Sequence, residues 1–353
     1  MTRKARLGWT AVAALAVIAL APAASIYYES KGGPGCGRCH EIQPIYETWH
    51  TSTHRKIACS ACHGDAATLD AGFHLNNLKR VLEHFRGEVP EQIRMRPVDI
   101  PAMLRRCQSC HRQEFADWET GPHGVTYAKI FLNAEFYRTK KEPMDDCLRC
   151  HGAHFAGGIR DLVTPLDRKG PWRIAAGMQG QPAIPCMACH QMHREGAPLV
   201  HSPDREPSAK EELARPSLAL FDRRAMMHVA VARLPLPEMR EGDRVVKMSP
   251  DPRQALCYQC HAPTTGGFQA SSGDDRTGLG VHEGLSCLAC HFKHGQKTRA
   301  SCADCHPRLS NCGLNVEKMD TTFFSSKSKH NVHFVKCADC HTKGVPPRKI
   351  AKR

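Results

Sequence analysis

The stretch "CGRCHEIQPIYETWHTSTHRKIACSACHG", residues 36 to 64, carries the pattern Cys-x-x-Cys-His twice. The pattern returns seven more times, and we number the copies as sites one to nine in chain order. They are Cys36/Cys39/His40, Cys59/Cys62/His63, Cys107/Cys110/His111, Cys147/Cys150/His151, Cys186/Cys189/His190, Cys257/Cys260/His261, Cys287/Cys290/His291, Cys302/Cys305/His306 and Cys337/Cys340/His341. Nine pairs use 18 of the 19 cysteines and leave Cys312. With 22 His in 353 residues, a His after all nine pairs by chance is on the order of one in 10¹¹, judged against composition alone. Structural zinc sites or disulfides do not require that histidine. A c-type haem site does: two sulfurs form thioethers to the porphyrin vinyl groups, and the adjacent imidazole binds the iron from one face. The pattern therefore predicts nine covalently bound haem c groups, with the nine motif histidines as proximal ligands.

Thirteen histidines remain outside the motifs: His50, His54, His74, His84, His123, His154, His193, His201, His228, His282, His294, His330 and His333. They suffice for a second imidazole at every iron, with some left for surface or proton-coupled roles. The distal candidates are His54, His84, His123, His154, His193, His228, His282, His294, His330 and His333. Two spacings recur. His54 and His282 precede Cys59 and Cys287 by five residues, while His330 and His333 lie seven and four before Cys337. His154, His193 and His294 complete Cys-x-x-Cys-His-x-x-His. A side chain three residues from the proximal ligand shares its helical face, so it cannot easily reach across its own porphyrin plane. It is expected to serve a neighbouring site, which predicts interlocked haem pairs.

These sites need a particular kind of scaffold. Aromatic residues are 6% and apolar residues 41% of the chain, thin for two ordinary domains, so porphyrins are expected to supply the core. The expected fold is mainly α with extensive loops around a haem-stacked core, and little β-sheet. The formal charge of +14 does not imply a nucleic acid. Counting about −1 for each oxidised and −2 for each reduced haem brings nine loaded sites to between about +5 and −4. The basic residues are thus read as propionate partners, with no nucleic-acid partner.

Arg3, Lys4 and Arg6 precede an uncharged run from Leu7 to Tyr28, long enough for the roughly 20 residues that span a bilayer. The expectation is a retained N-terminal anchor over 1–28 in the cytoplasmic (inner) membrane, in contact with lipid, with the haem region on the periplasmic side. "ALAPAAS" (Ala19 to Ser25) keeps a signal sequence open as the alternative. Covalent haem attachment places the rest outside the cytoplasm on either reading. Motif starts are 23, 48, 40, 39, 71, 30, 15 and 35 residues apart, so there is no fixed repeat. The long gap marks a boundary: haems one to five over 29–200, a haem-free connector over 201–256 with a helical pattern near Lys210 to Arg233, and haems six to nine over 257–353. Met226, Met227 and Val229 read as core, and His228 as a possible ligand.

The anchor, the doubled motif, then "FHLNNLKRVLEHFRGEVPEQIRMRP" and "RRCQSCHRQEFADWETGPHG" resemble the membrane-anchored cytochromes of the NapC/NirT/NrfH type over about residues 1–155. The resemblance implies electron passage from membrane quinol through haems to a periplasmic redox partner. It also points to Lys79, Glu83 and His84 as proton acceptors. The NrfH branch has a Met axial ligand where this chain has Ile42, so the resemblance does not supply the distal ligand of site one.

The leading expectation is an electron-transfer protein in which mostly bis-His haems carry electrons from membrane quinol, or another membrane donor, to a periplasmic or surface acceptor. One alternative is a multihaem reductase or oxidase of small nitrogen or sulfur compounds, which requires one open iron; no Cys-x-x-Cys-Lys site occurs. A second alternative is a subunit of an extracellular cytochrome filament or conduit. No catalytic residue is expected, and Cys312 reads as a buried thiol or a reactive one.

Overall fold

A Cys-x-x-Cys-His segment gathers its three functional side chains in a single helical turn, because residues i, i+3 and i+4 then share a face. The computed structural model adopts this form at each motif it describes. It describes residues 8–12, 15–16, 36–64, 71–89, 95–133, 142–166, 170–193, 218–236, 238, 240–241, 243–251, 253–261, 282–295 and 343. Site two forms helix α2 (Cys59–His63). Site three closes α4 (Ile100–Cys110), site four is α7 (Cys147–His151), and site six ends α9 (Gln254–His261). Sites one, five and seven begin in 3-10 turns, Cys36–Arg38, Cys186–Ala188 and Cys287–Ala289. The turn is closed from the His amide to the first Cys carbonyl at site three (2.8 Å), site five (3.0 Å) and site seven (2.9 Å). Sites eight and nine lie outside the described residues.

The chain divides into two compact units. Unit 1 comprises 1–111, 191–205 and 214–217; unit 2 comprises 112–190, 206–213 and 218–353. The division after His111 differs from the boundary expected at the 201–256 connector.

In unit 1, α1 (Gln43–His50) starts with Pro44 in its first turn, where a missing amide costs nothing. Further on come α3 (Ala71–Arg86) and α4, which packs against α2. That packing has a polar lock, Arg106 Nη1 donating to the Cys62 carbonyl at 2.9 Å. Gly64, next to it, has φ +93° and ψ 157°, and a Cβ there would stand 2.6 Å from Arg106 Nη2. Gly64→Ala should therefore cost about 1–3 kcal/mol, since this backbone region is almost exclusive to glycine. A denaturant midpoint unchanged from the parent protein would disprove that reading.

Unit 2 holds the larger apolar core. Helices α5 (Arg112–Thr120), α6 (Tyr127–Phe131), α7 and α8 (Ile159–Leu162) lead into a short antiparallel pair, β1 (Val163–Thr164) and β2 (Arg173–Ile174). Thr126 caps α6 by accepting from the Lys129 amide, and Tyr127 and Phe131, one turn apart, are both buried. They join Leu148, Phe155, Ile159, Leu162, Val163, Trp172 and Ile174 in one cluster. Trp118 of α5 adds a bond from Nε1 to the Ile184 carbonyl, 2.9 Å.

The connector departs from expectation. In place of a helix near Lys210 to Arg233, the described residues form a hairpin of β3 (Ala219–Asp222) and β4 (Met227–Ala230), pairing Phe221 with His228. Asp222 Oδ1 accepts from the amides of Arg224 and Ala225, and Met226 takes a positive φ of 54°. This turn chemistry, favoured by a short polar side chain, reverses the chain where a helix would have continued. A further ribbon pairs β5 (Arg240–Glu241) with β6 (Arg244–Val245).

Among the described residues no helix is long and apolar enough to cross a membrane. Of the expected anchor, residues 8–12 and 15–16 are described, as helix, and the remainder of Leu7 to Tyr28 lies outside the described residues.

Candidate metal centres

The helical turns of the motifs fix the proximal imidazoles by backbone alone; what the fold adds is the second ring. Two imidazoles that share one metal have ring centroids roughly 6 Å apart, from metal–nitrogen bonds of about 2 Å on either side. Among the described residues, five motif histidines have a non-motif histidine at that spacing. In unit 1 the centroids are 5.4 Å apart for His40 and His84, 6.1 Å for His54 and His111, and 5.7 Å for His63 and His193. In unit 2 they are 6.1 Å apart for His123 and His261 and for His190 and His294. No pair joins a histidine to the motif nearest it in sequence on its C-terminal side: His54, five residues before Cys59, faces His111 of site three. His193 and His294, each three residues after a motif histidine, face those of sites two and five.

The protonation chemistry suits metal binding. Burial pushes His123 and His193 down to about 4, so both imidazoles are neutral at neutral pH, the form with a free nitrogen lone pair. The His151 ring of site four has its Nδ1 buried with no hydrogen-bond partner. At site one, ligand atoms of His40, Glu41 and His84 all lie within 4.8 Å of one another. There Glu41 is bonded to His84 Nδ1, the carboxylate arrangement that orients a metal-bound imidazole. The residues present thus fit haem iron.

Two motif residues correct the expectation of uniform, core-forming sites. Cys39 of site one is exposed, as is Cys110 of site three, where attachment sulfurs were expected within a haem-stacked core. The reason at Cys39 is local: the 3-10 turn of site one ends at Arg38, just before it, and the larger apolar cluster belongs to unit 2. His291 of site seven, expected as a proximal ligand answered by a second imidazole, is not a member of the five pairs. It is half-buried and its amide donates to the Cys287 carbonyl at 2.9 Å. The histidine three residues beyond it, His294, is turned to His190, so the fold spends that ring on site five and not on site seven.

His154 departs from its two counterparts. Its ring stacks on Phe221 at 4.1 Å and 19°, with His228 as its electrostatic neighbour, and burial pushes it down to about 4. His228 does not face a motif ring either; its Nε2 bonds the Met187 carbonyl at 2.8 Å, inside site five, and its ring meets Phe221 edge-on. His282 lies in the turn leading to Cys287, its carbonyl accepting from the Leu285 amide. His50 ends α1 beside Tyr46 and Trp49. Glu83 is held by Lys79 at 3.6 Å and Arg80 at 3.2 Å. His201, His306, His330, His333, His341, Cys302, Cys305, Cys312, Cys337 and Cys340 lie outside the described residues.

Sequence reasoning missed the supporting residues. Glu41 orients His84, Phe221 covers His154, Arg106 locks site two, and Arg149 of α7 donates from Nη1 to the Gln259 carbonyl at 2.9 Å. Only Glu41, beside a motif histidine, carried a signal in the sequence.

Residues 34–202 match the family model described as "Outer membrane cytochrome MtrC/MtrF-like, domains II/IV". The chain carries a multihaem cytochrome c region. Haem is accordingly its cofactor, and electron transfer is the chemistry of its kind. Neither the curated proteins nor the solved structures gave a match. The match supports multihaem cytochromes in general and not the NapC/NirT/NrfH type in particular. It also corrects the expected location. The matched family is of an outer-membrane cytochrome type, and no described helix is able to span a membrane, so an inner-membrane N-terminal anchor is not supported, nor is quinol oxidation. A 22-residue uncharged run meets the length condition for a span, but that condition does not identify a membrane.

Proposed function

We propose that the protein is an electron-conduit subunit on the extracytoplasmic side, of the outer-membrane or extracellular kind, passing electrons between redox partner proteins or to a surface acceptor. Haem c, when bound, supplies reversible one-electron transfer at each site. The chain's own residues attach it through the eighteen motif cysteines, hold its iron through paired imidazoles, and exclude water by burying those rings. The observation that carries the reading is the facing of motif and non-motif imidazoles at five sites, spaced 5.4 to 6.1 Å. Irons with two imidazoles have no open position for a substrate, which favours transfer over reductase chemistry and keeps potentials low for want of a Met ligand.

Two measurements test this. Intact mass should give nine added haem masses, and fewer than eight would undo the motif count. The optical and EPR spectra of the ferric protein should be low-spin throughout; a high-spin component amounting to one site would favour the reductase alternative.

A further inference from the structure

We infer that α9 is a shared attachment strut on which the anchoring sulfurs of sites four, six and seven meet, so that site six is the junction of unit 2. This rests on the reading of the motifs as haem attachment sites.

Cys257 and Cys260 stand three residues apart on α9 and share its face. The Cys260 sulfur is in hydrogen-bond contact with Cys150 of α7. The Cys257 sulfur is in the same kind of contact with Cys287 of site seven. Cys189 of site five lies within electrostatic reach of both α9 sulfurs. Separate polar contacts hold each approach. On the α7 side, the two helices pack together and Arg149 donates to the Gln259 carbonyl at 2.9 Å. On the site-seven side, Cys287 Sγ lies 3.6 Å from Gln254 Oε1, which also accepts from the Tyr258 hydroxyl at 2.8 Å. Ser286 Oγ donates to Asp251 Oδ2 at 2.8 Å, and the same carboxylate is gripped by Arg253 Nη2 at 2.8 Å. Gln254 is 1% exposed, so this bracket is built into the interior.

Neighbouring motifs in sequence need not share a strut. Sites four and six are separated by more than a hundred residues and by site five, yet their sulfurs touch. Groups attached through touching sulfurs must be close at their attached edges. A unit of charge gained at one is then felt at the other. At about 10 Å and an effective dielectric near 20, the shift is on the order of tenfold in a reduction equilibrium, or 59 mV for one electron.

The test uses the full-length loaded protein and a double-mutant cycle. One variant removes the site-four attachments (Cys147→Ala with Cys150→Ala), a second those of site six (Cys257→Ala with Cys260→Ala), and a third combines them. Mass spectrometry reads how many haems remain, and spectroelectrochemical titration reads the reduction curve. The expected result is the loss of one haem per pair, with effects on the reduction curve that fail to add by about tenfold. A second cycle, pairing site six with site seven (Cys287→Ala with Cys290→Ala), is expected to give the same and serves if either site-four variant does not fold. Haem loss with effects additive to within about twofold in both cycles would overturn the strut while leaving the attachment reading intact. No haem loss from any pair would overturn the attachment reading and the strut with it.

Discussion

Replacing His193 with Ala should convert one site to high spin, and that site should be site two, not site five. His193 follows His190 by three residues, so proximity in sequence would assign it to the motif of Cys186 and Cys189. The fold assigns it differently: its ring lies 5.7 Å from His63, and the boundary between the compact units falls between His190 and Gln191, placing His193 with His63 in unit 1. A ring three residues beyond the proximal ligand projects from the same helical face and cannot reach the opposite side of its own porphyrin. The loss of one axial nitrogen affects about one ninth of the haem signal if nine sites are loaded, and should raise the potential of that fraction. Added imidazole should restore the low-spin spectrum, which a general loosening of the fold would not do. The site is identified by repeating His193→Ala in a chain lacking Cys59 and Cys62. If the high-spin signal persists there, it belongs to another site and the cross-pairing of His193 with His63 is wrong.

The spacing that identified His193 was legible in the sequence, because three residues after a motif histidine is a statement about helical geometry and needs no tertiary information. The same spacing misleads at His154. The difference lies in the segment from Ala219 to Ala230, which supplies Phe221 and His228 to cover the His154 ring. Its two apolar stretches of four residues are too short for periodicity to separate strand from helix. The deciding feature was Asp222, whose side chain bonds two following amides and turns the chain. Reading that segment as a helix removed the hairpin that occupies His154, so the local error became an error about a ligand. Cross-chain partners such as Arg106 to Cys62 and Arg149 to Gln259 join residues 44 and 110 positions apart. No local pattern encodes them. The core was only partly legible too: Trp172, Phe131 and Leu148 lie in segments without sustained periodicity, and porphyrin was expected to fill the space that these side chains occupy in unit 2. The motif pattern likewise marks Cys39 and His291 as equal to their counterparts, because burial and ring pairing are set by the surrounding chain and not by the five residues themselves.

Leu148→Ala should destabilise unit 2 by about 2–5 kcal/mol, although the residue stands at a variable position of a Cys-x-x-Cys-His motif. The two intervening positions of site four have different roles. Arg149 points to α9 and bonds the Gln259 carbonyl. Leu148 is fully buried, with 0% exposure, in the cluster of Phe131, Leu162, Val163 and Ile174. Truncation there removes the transfer energy of three carbons and leaves a cavity that a close-packed interior closes only in part. Because α7 is one turn long, it has little helical stability of its own and depends on that side chain to fix Cys147, Cys150 and His151 in place. Leu148→Met keeps the volume and should cost less than about 1.5 kcal/mol. Denaturant unfolding followed by far-ultraviolet circular dichroism gives the energies, and the optical spectrum tells whether site four keeps its ligands. A cost below about 1 kcal/mol for the alanine variant, or equal costs for alanine and methionine, would mean that the attachment site is not anchored in the apolar core and that the covalent group alone holds α7 in position.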